Sequence, residues 1–423
     1  MVLRIPHILF FLLAAGYLVA CQQTKFIAEE LEHLTTEDST ALETGATDDS
    51  ETASDSTLLS TDLDTDSVTE TIPDSMSEMG SESDSMTDTE TNTGDDSDSV
   101  SDSPDTDTRG VRPLEYNWQS SPELITPLIG ELAIKDPSIT FDEASHHWVI
   151  YTTAKQDPQA LLRLAHLTIE KDPDFKDLDA ISSTIKWQIT VSPDSITYAA
   201  APHIFKFSVD KKWYLVFQTP RPTYMTTDNP TDGQSWSDAK FFLNGNPVID
   251  GVTINEPVDY WVICDDIFCH MFFSGHDGAL YRMWTLKDNF PNGFGMNGEI
   301  VMQDADVNGL WDASNVYRLG DTGKYLLLVS AFQESGNRYF RSFTSDNLAG
   351  PWTEESVFTS ADNVSGADWA IDGINHGDML RKNPDETMTI DPWDMRYLFQ
   401  GRRSQGAYDS SRFSLGLLTF TAP

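Results

Sequence analysis

From residue 113 onward the chain repeats itself loosely, about every 60 residues. Each unit opens with a polar residue ahead of an apolar run, turns, and returns on a second aromatic-rich strand. The openings are Lys135-Asp136-Pro137, Ala201-Pro202-His203, Pro257-Val258-Asp259, Leu310-Trp311-Asp312 and Asn375-His376-Gly377. With Asp136, His203, Asp259, Asp312 and His376 as marks, the steps are 67, 56, 53 and 64 residues. That length accommodates a four-stranded antiparallel sheet, and five such sheets around an axis make a propeller. Runs such as Trp148-Val149-Ile150-Tyr151, Trp213-Tyr214-Leu215-Val216-Phe217 and Tyr325-Leu326-Leu327-Leu328-Val329 are short, β-rich and bounded by Gly, Asn, Asp and Pro. The expected fold class is all-β, a five-bladed β-propeller over residues 113–423. The alternative, a β-sandwich, would scatter the five marks along sheet edges.

The segment ahead of the repeats is built differently. Of a formal charge of −41, residues 29–108 carry −26, with 26 Asp or Glu, no Lys or Arg and no aromatic residue. Such a stretch buries too little apolar area to offset chain entropy, and it repels itself. Residues 21–112 therefore read as a disordered Ser/Thr/Asp/Glu-rich tether. An acidic chain without a basic block argues against nucleic acid and anionic membrane surfaces as partners. Residues 1–20 read as an export signal, with Arg4 ahead of the apolar run Ile8–Ala15. Leu18-Val19-Ala20-Cys21 is similar to a bacterial lipobox, which makes Cys21 a lipidated mature N-terminus; ordinary cleavage and secretion is the alternative. The expected location is a cell-surface or outer-membrane lipoprotein, otherwise extracellular, monomeric and touching membrane only through the anchor.

Cys264 and Cys269 flank four residues, Asp265-Asp266-Ile267-Phe268. Two strands joined by that loop would set the thiols opposite each other, so a disulfide and a pair of buried thiols both stay open. Neither a zinc-type nor a redox cysteine pattern is present, and phosphate loops and nucleophile elbows are missing too. No cofactor is expected for the chemistry.

In a propeller the innermost strand of each blade starts near the central cavity. The five marks would then bring three carboxylates and two imidazoles to one pocket. That set suits glycoside hydrolysis: one carboxyl protonates the departing oxygen and another activates water or attacks the sugar. A third can hold a neighbour protonated by like-charge repulsion.

Lys135-Asp136-Pro137-Ser138, Ala200-Ala201-Pro202-His203, Asp259-Tyr260-Trp261-Val262-Ile263-Cys264-Asp265-Asp266, Ala313-Ser314-Asn315-Val316-Tyr317, Arg338-Tyr339-Phe340-Arg341-Ser342, Asn375-His376-Gly377 and Gln400-Gly401-Arg402 occur in that order. Together they resemble the α-L-arabinofuranosidases of glycoside hydrolase family 62, over most of residues 113–420. The resemblance implies a secreted five-bladed propeller that removes arabinofuranosyl side groups from arabinoxylan with inversion. It implies Asp136 as general base, Asp259 as orienting and pKa-setting acid, and Asp312 at the proton donor's position. Lys135, His203, His376, Phe399 and Arg402 are the expected substrate-binding residues, and His376 is placed to hold a water or a structural calcium at the pocket floor. The chain departs from the family pattern at four places. Asp312 stands where Glu is usual, Thr219 for a Trp, Phe399 for a Tyr and Asp378 for a Glu. The rival readings are a non-catalytic glycan-binding propeller and a related five-bladed glycosidase acting on arabinan or xylan.

Overall fold

The computed structural model describes residues 115–127, 132–155, 163–170, 185–188, 198–371, 373–403 and 412–421. These belong to the unit Arg109–Pro423. The export signal, Cys21 and the acidic tether lie outside the described residues.

Five antiparallel sheets follow one another along the chain. Blade one is Ala133–Asp142, His147–Lys155, Arg163–Glu170 and Ile185–Gln188. Blade two is Ala200–Lys206, Trp213–Gln218, Pro222–Thr227 and Lys240–Phe241. Blade three is Val258–Cys264, Phe268–Ser274, Ala279–Leu286 and Gly298–Gln303. Blade four is Asp312–Leu319, Tyr325–Phe332, Arg338–Ser345 and Thr353–Glu354, with Thr389–Ile390 laid parallel to its first strand. Blade five joins Ile374–Met379, Arg396–Arg402 and Phe413–Phe420 to Trp118–Ser120 from the start of the unit. That pairing closes the ring, because Trp118 sits opposite Phe420 at the other end of the sequence. The fold is the five-bladed β-propeller expected from the repeat.

Both faces of the inner blades are covered, so their strands read as near-continuous apolar runs. Trp213, Phe205, Phe217, Phe272, Phe273 and Phe340 are buried between or within blades. Cys264 and Cys269 are direct cross-strand partners in blade three and are bonded to each other.

One polar cluster ties the blades at the axis. Asp378, fully buried in blade five, accepts hydrogen bonds from Ser138 Oγ (3.0 Å) and the Ile139 amide (3.0 Å) in blade one, and from the Tyr317 hydroxyl (2.8 Å) in blade four. Arg381 lies 3.7 Å from the same carboxylate and donates to the carbonyls of Ile139 (2.7 Å) and Ile204 (2.9 Å), which reaches blade two. Replacing Asp378 with Ala would strand a buried guanidinium and three donors. The expected loss is about 3 kcal/mol or more of stability. Thermal denaturation of Asp378→Ala should show a midpoint at least roughly 6 °C lower; a fall under about 2 °C would show that the cluster is not a structural tie.

Candidate active site

Every inner strand carries the same irregularity. Between Lys135 and Ser138, Ala200 and His203, Val258 and Trp261, Asp312 and Asn315, and Ile374 and Gly377, the inner strand takes three steps while its partner takes two. One extra residue in an antiparallel pair is a β-bulge, which bends the strand and re-aims its side chains. In four blades the first bulged residue has positive φ: Asp136 (48°), Ala201 (48°), Asp259 (57°) and Ala313 (52°). Non-glycine residues in that region are strained and persist only where their surroundings hold them.

Here the holding groups are side chains from the preceding blade. Gln400 Oε1 accepts from the Asp136 amide (2.5 Å), Thr153 Oγ1 from Ala201 (2.8 Å), Gln218 Oε1 from Asp259 (2.8 Å), and Asp259 Oδ2 from Ala313 (2.9 Å). The bulges therefore form linked latches, each amide freed from its ladder being caught by a neighbour. Asp259 is both a bulged residue and the latch for the next blade.

The latches gather the carboxylates. His376 Nδ1 lies 3.6 Å from Asp136 Oδ1 and 3.9 Å from Asp259 Oδ2, so one imidazole faces both acids. Lys135 Nζ is 3.9 Å from Asp136 Oδ2. Asp312 opens the inner strand of blade four, directly ahead of the amide that Asp259 accepts. Arg338 grips it through two bonds, Nη1 to Oδ1 (2.5 Å) and Nη2 to Oδ2 (3.0 Å). Beside it, His276 stacks on Trp311 with ring centres 4.9 Å apart.

The environments push these acids apart. Burial alone would raise Asp136, but the Lys135 charge and the contact and charge of His376 outweigh it and hold the carboxyl far below its usual value. Asp259 goes the other way: burial raises it, and the charges of Asp312 and Asp136 add to that against the pull of His376. Asp312 is buried too, yet the charge and hydrogen bonds of Arg338 bring it below its usual value. Burial would lower His376, but its contact with Asp136 and the charges of Asp259 and Asp136 raise it instead. Neighbouring carboxyls whose environments push them in opposite directions are the pattern of a proton-moving site.

The family model for glycosyl hydrolase family 62 matches residues 117–419. The chain belongs to glycosyl hydrolase family 62. It is 36% identical over 313 residues to alpha-L-arabinofuranosidase C of Cellvibrio japonicus, an alignment that takes in 71% of this chain and 46% of that protein. The chain thus spans about half the length of that curated relative. The catalytic domain of the Coprinopsis cinerea GH62 α-L-arabinofuranosidase superposes with a TM-score of 0.66 at 35% identity, over 73% of this chain and 98% of that one. The Podospora anserina α-L-arabinofuranosidase, solved with cellotriose, gives 0.66 at 33% identity over 74% and 98%.

Within this family 62 site the expected residues fall into two groups. Asp136, Asp259, Asp312, Lys135 and His376 are brought together at one place. His203 is not: it sits two residues beyond the bulge position of blade two, buried, with Nε2 2.9 Å from the Val262 carbonyl and its ring stacked on Trp261 at 3.8 Å. Burial, and then the charge of Arg381, push its pKa well below the usual imidazole value, which makes it a neutral packing residue. Phe399 is likewise core, fully buried with its ring 5.4 Å from Trp369. His203 thus packs against Trp261 of blade three, and Phe399 against Trp369, which lies just ahead of the inner strand of its own blade. Arg402 ends its strand half-buried. Thr219, where the family usually has Trp, turns inward to Thr223 (2.9 Å) and offers no aromatic surface.

The side chains described around His376, expected to hold a water or a structural calcium, do not by themselves make a calcium cage. Calcium takes six to eight oxygen ligands. Among the described residues no group of three or more His, Cys, Asp or Glu is disposed to hold a metal ion, and His376 is engaged with two carboxylates through Nδ1. Gln218, Gln400, Thr153, His276 and Arg338 are the site residues that sequence reasoning passed over. Two of them stood in quoted motifs, Gln400 before Gly401-Arg402 and Arg338 before Tyr339-Phe340.

Proposed function

We propose that this chain hydrolyses terminal α-L-arabinofuranosyl side groups from arabinoxylan, with inversion at the anomeric carbon. The observation that carries the reading is the family 62 site itself, with Asp136 held ionised and facing the same imidazole as Asp259. Asp136 takes the proton from a water on one face of the arabinose. Asp312 protonates the departing xylosyl oxygen on the other, and Asp259 holds the bulge that carries Asp312 in place. An inverting pair leaves room for that water between the two carboxyls. Membership of the family and the arabinofuranosidases among its similar structures support this substrate class. The apolar run after Arg4, the acidic stretch that follows and Cys21 support placing the head outside the cell on a lipid anchor.

One observation favours a second reading. Asp312, already a methylene shorter than the usual Glu, spends both oxygens on Arg338. A glycan-binding propeller that has lost its donor would look the same. Incubating the full chain with wheat arabinoxylan, with chromatography of products and NMR of the first-formed anomer, separates the readings. Free arabinose appearing first as the β-anomer is expected. Xylan or arabinan oligosaccharides would mean main-chain cleavage, and retention of polysaccharide without product would mean binding alone.

A further inference from the structure

We propose that Arg338 is a positioning residue that clamps both oxygens of Asp312 and so sets the pH range over which Asp312 carries a proton. The catalytic consequence rests on the reading of Asp312 as proton donor given above.

The clamp is built into the sheet. Ser330 lies directly opposite Asp312 on the second strand of blade four, and Phe340 lies opposite Ser330 on the third. Residues two apart on a strand share a face, so Arg338 stands on the Asp312 side, with Phe332 directly opposite it. Its Nη1 also donates to Ser330 Oγ (2.9 Å), and its guanidinium lies over the Phe332 ring at 4.8 Å. The fork is therefore fixed by register, by a hydroxyl and by an aromatic face, and both partners are about as buried as each other, 13% and 15% exposed.

Chemistry follows from the donor count. A guanidinium is all donors and keeps its protons, and a two-bond fork to a carboxylate is among the strongest pairings a protein makes. A proton arriving on Asp312 weakens the whole fork, because the neutral acid is a poorer acceptor and no longer attracts the cation. Other charged groups also face Asp312: His276 from the turn after the second strand of blade three, Asp259 from the inner strand of blade three, and His376 from the inner strand of blade five. Asp259 repels the charged form of Asp312, while His276 and His376 favour it when protonated. Arg338 acts at hydrogen-bond distance and carries its charge at every working pH. The downward displacement of Asp312, against its burial, agrees with that ranking.

The sign of the effect is fixed. A donor must be protonated, so turnover falls as pH rises through its pKa, and a lowered pKa brings that fall to lower pH. Removing the Arg338 charge should move it back up.

The test uses the full chain, as wild type, Arg338→Gln and Arg338→Lys. It combines pH profiles of kcat/KM on arabinoxylan with a carboxyl-carbon NMR titration of Asp312, assigned by difference from Asp312→Asn. In Arg338→Gln both the alkaline limb and the Asp312 midpoint should rise by about one pH unit or more. In Arg338→Lys, which keeps the charge and loses the fork, the midpoint should stay within about half a unit while kcat falls. A folded Arg338→Gln protein whose midpoint does not move would overturn the proposal, as would a midpoint that moves while the alkaline limb of an active enzyme stays put. A midpoint that moves in a protein releasing no arabinose would uphold the clamp and remove the donor reading instead.

Discussion

Asp136→Asn should lower arabinose release by about 10³-fold in a protein that still folds cooperatively. The carboxamide keeps the shape of the side chain and leaves the backbone bond from the Asp136 amide to Gln400 intact, so the bulge survives. What it loses is the ability to take a proton from water. Lys135 and His376 hold the wild-type carboxylate ionised across the working range, so no pH change will mimic the variant above about pH 4. A second readout tests the same geometry. The folded pKa of His376 is raised above its ordinary 6.5, so its contribution to stability is fully present below 6.5 and is lost as pH rises through the folded value. With Asp136 neutralised, the contact that does most to raise His376 is gone, and the loss of stability with rising pH above 6.5 should flatten. Residual turnover above about a tenth of wild type would take the base role away from Asp136.

That two of the five repeat marks, Asp136 and Asp259, stand at equivalent bulge positions explains how far the sequence could be read. The apolar strand runs and their period are local properties, and they carried the blade count. The bulges are not local. One extra residue in each inner strand decides which side chain enters the cavity, and neither composition nor period reports it. The true equivalents are Asp136, Ala201, Asp259, Ala313 and Asn375, so Asp312 falls one residue early, His376 one late and His203 two late. Asp312 and His376 still reach the cavity, whereas the offset carries His203 into the packing between blades two and three. The latches were beyond reach for a different reason: Gln400 and Asp136 lie 264 residues apart, and only closure of the ring makes them neighbours. The resemblance to family 62 supplied what the period could not, because its motifs are strings around the bulges themselves.

Asp312→Asn divides the chemistry most sharply, because the same substitution should have two different effects. On arabinoxylan the leaving group is a xylosyl hydroxyl, a poor one unless protonated, and loss of the donor should lower kcat/KM by about 10²–10⁴-fold. On an aryl arabinofuranoside with an acidic phenol, departure needs little proton transfer, and the loss should stay under about tenfold. The aryl substrate also serves as the folding control, since it needs the same arabinose pocket and the same Asp136. The carboxamide introduced by Asp312→Asn can still accept from Arg338 through its carbonyl oxygen, so the guanidinium is not stranded. Equal losses on the two substrates would make Asp312 a positioning residue, with Arg338 its structural partner and the proton coming from another group. Asp259, whose carboxyl is raised by burial and by its acidic neighbours, would then be the acid to test next, through Asp259→Asn on the same pair of substrates. Unequal losses in the expected direction would establish that a side chain one methylene short of the family's Glu, roughly 1.5 Å of reach, still delivers its proton.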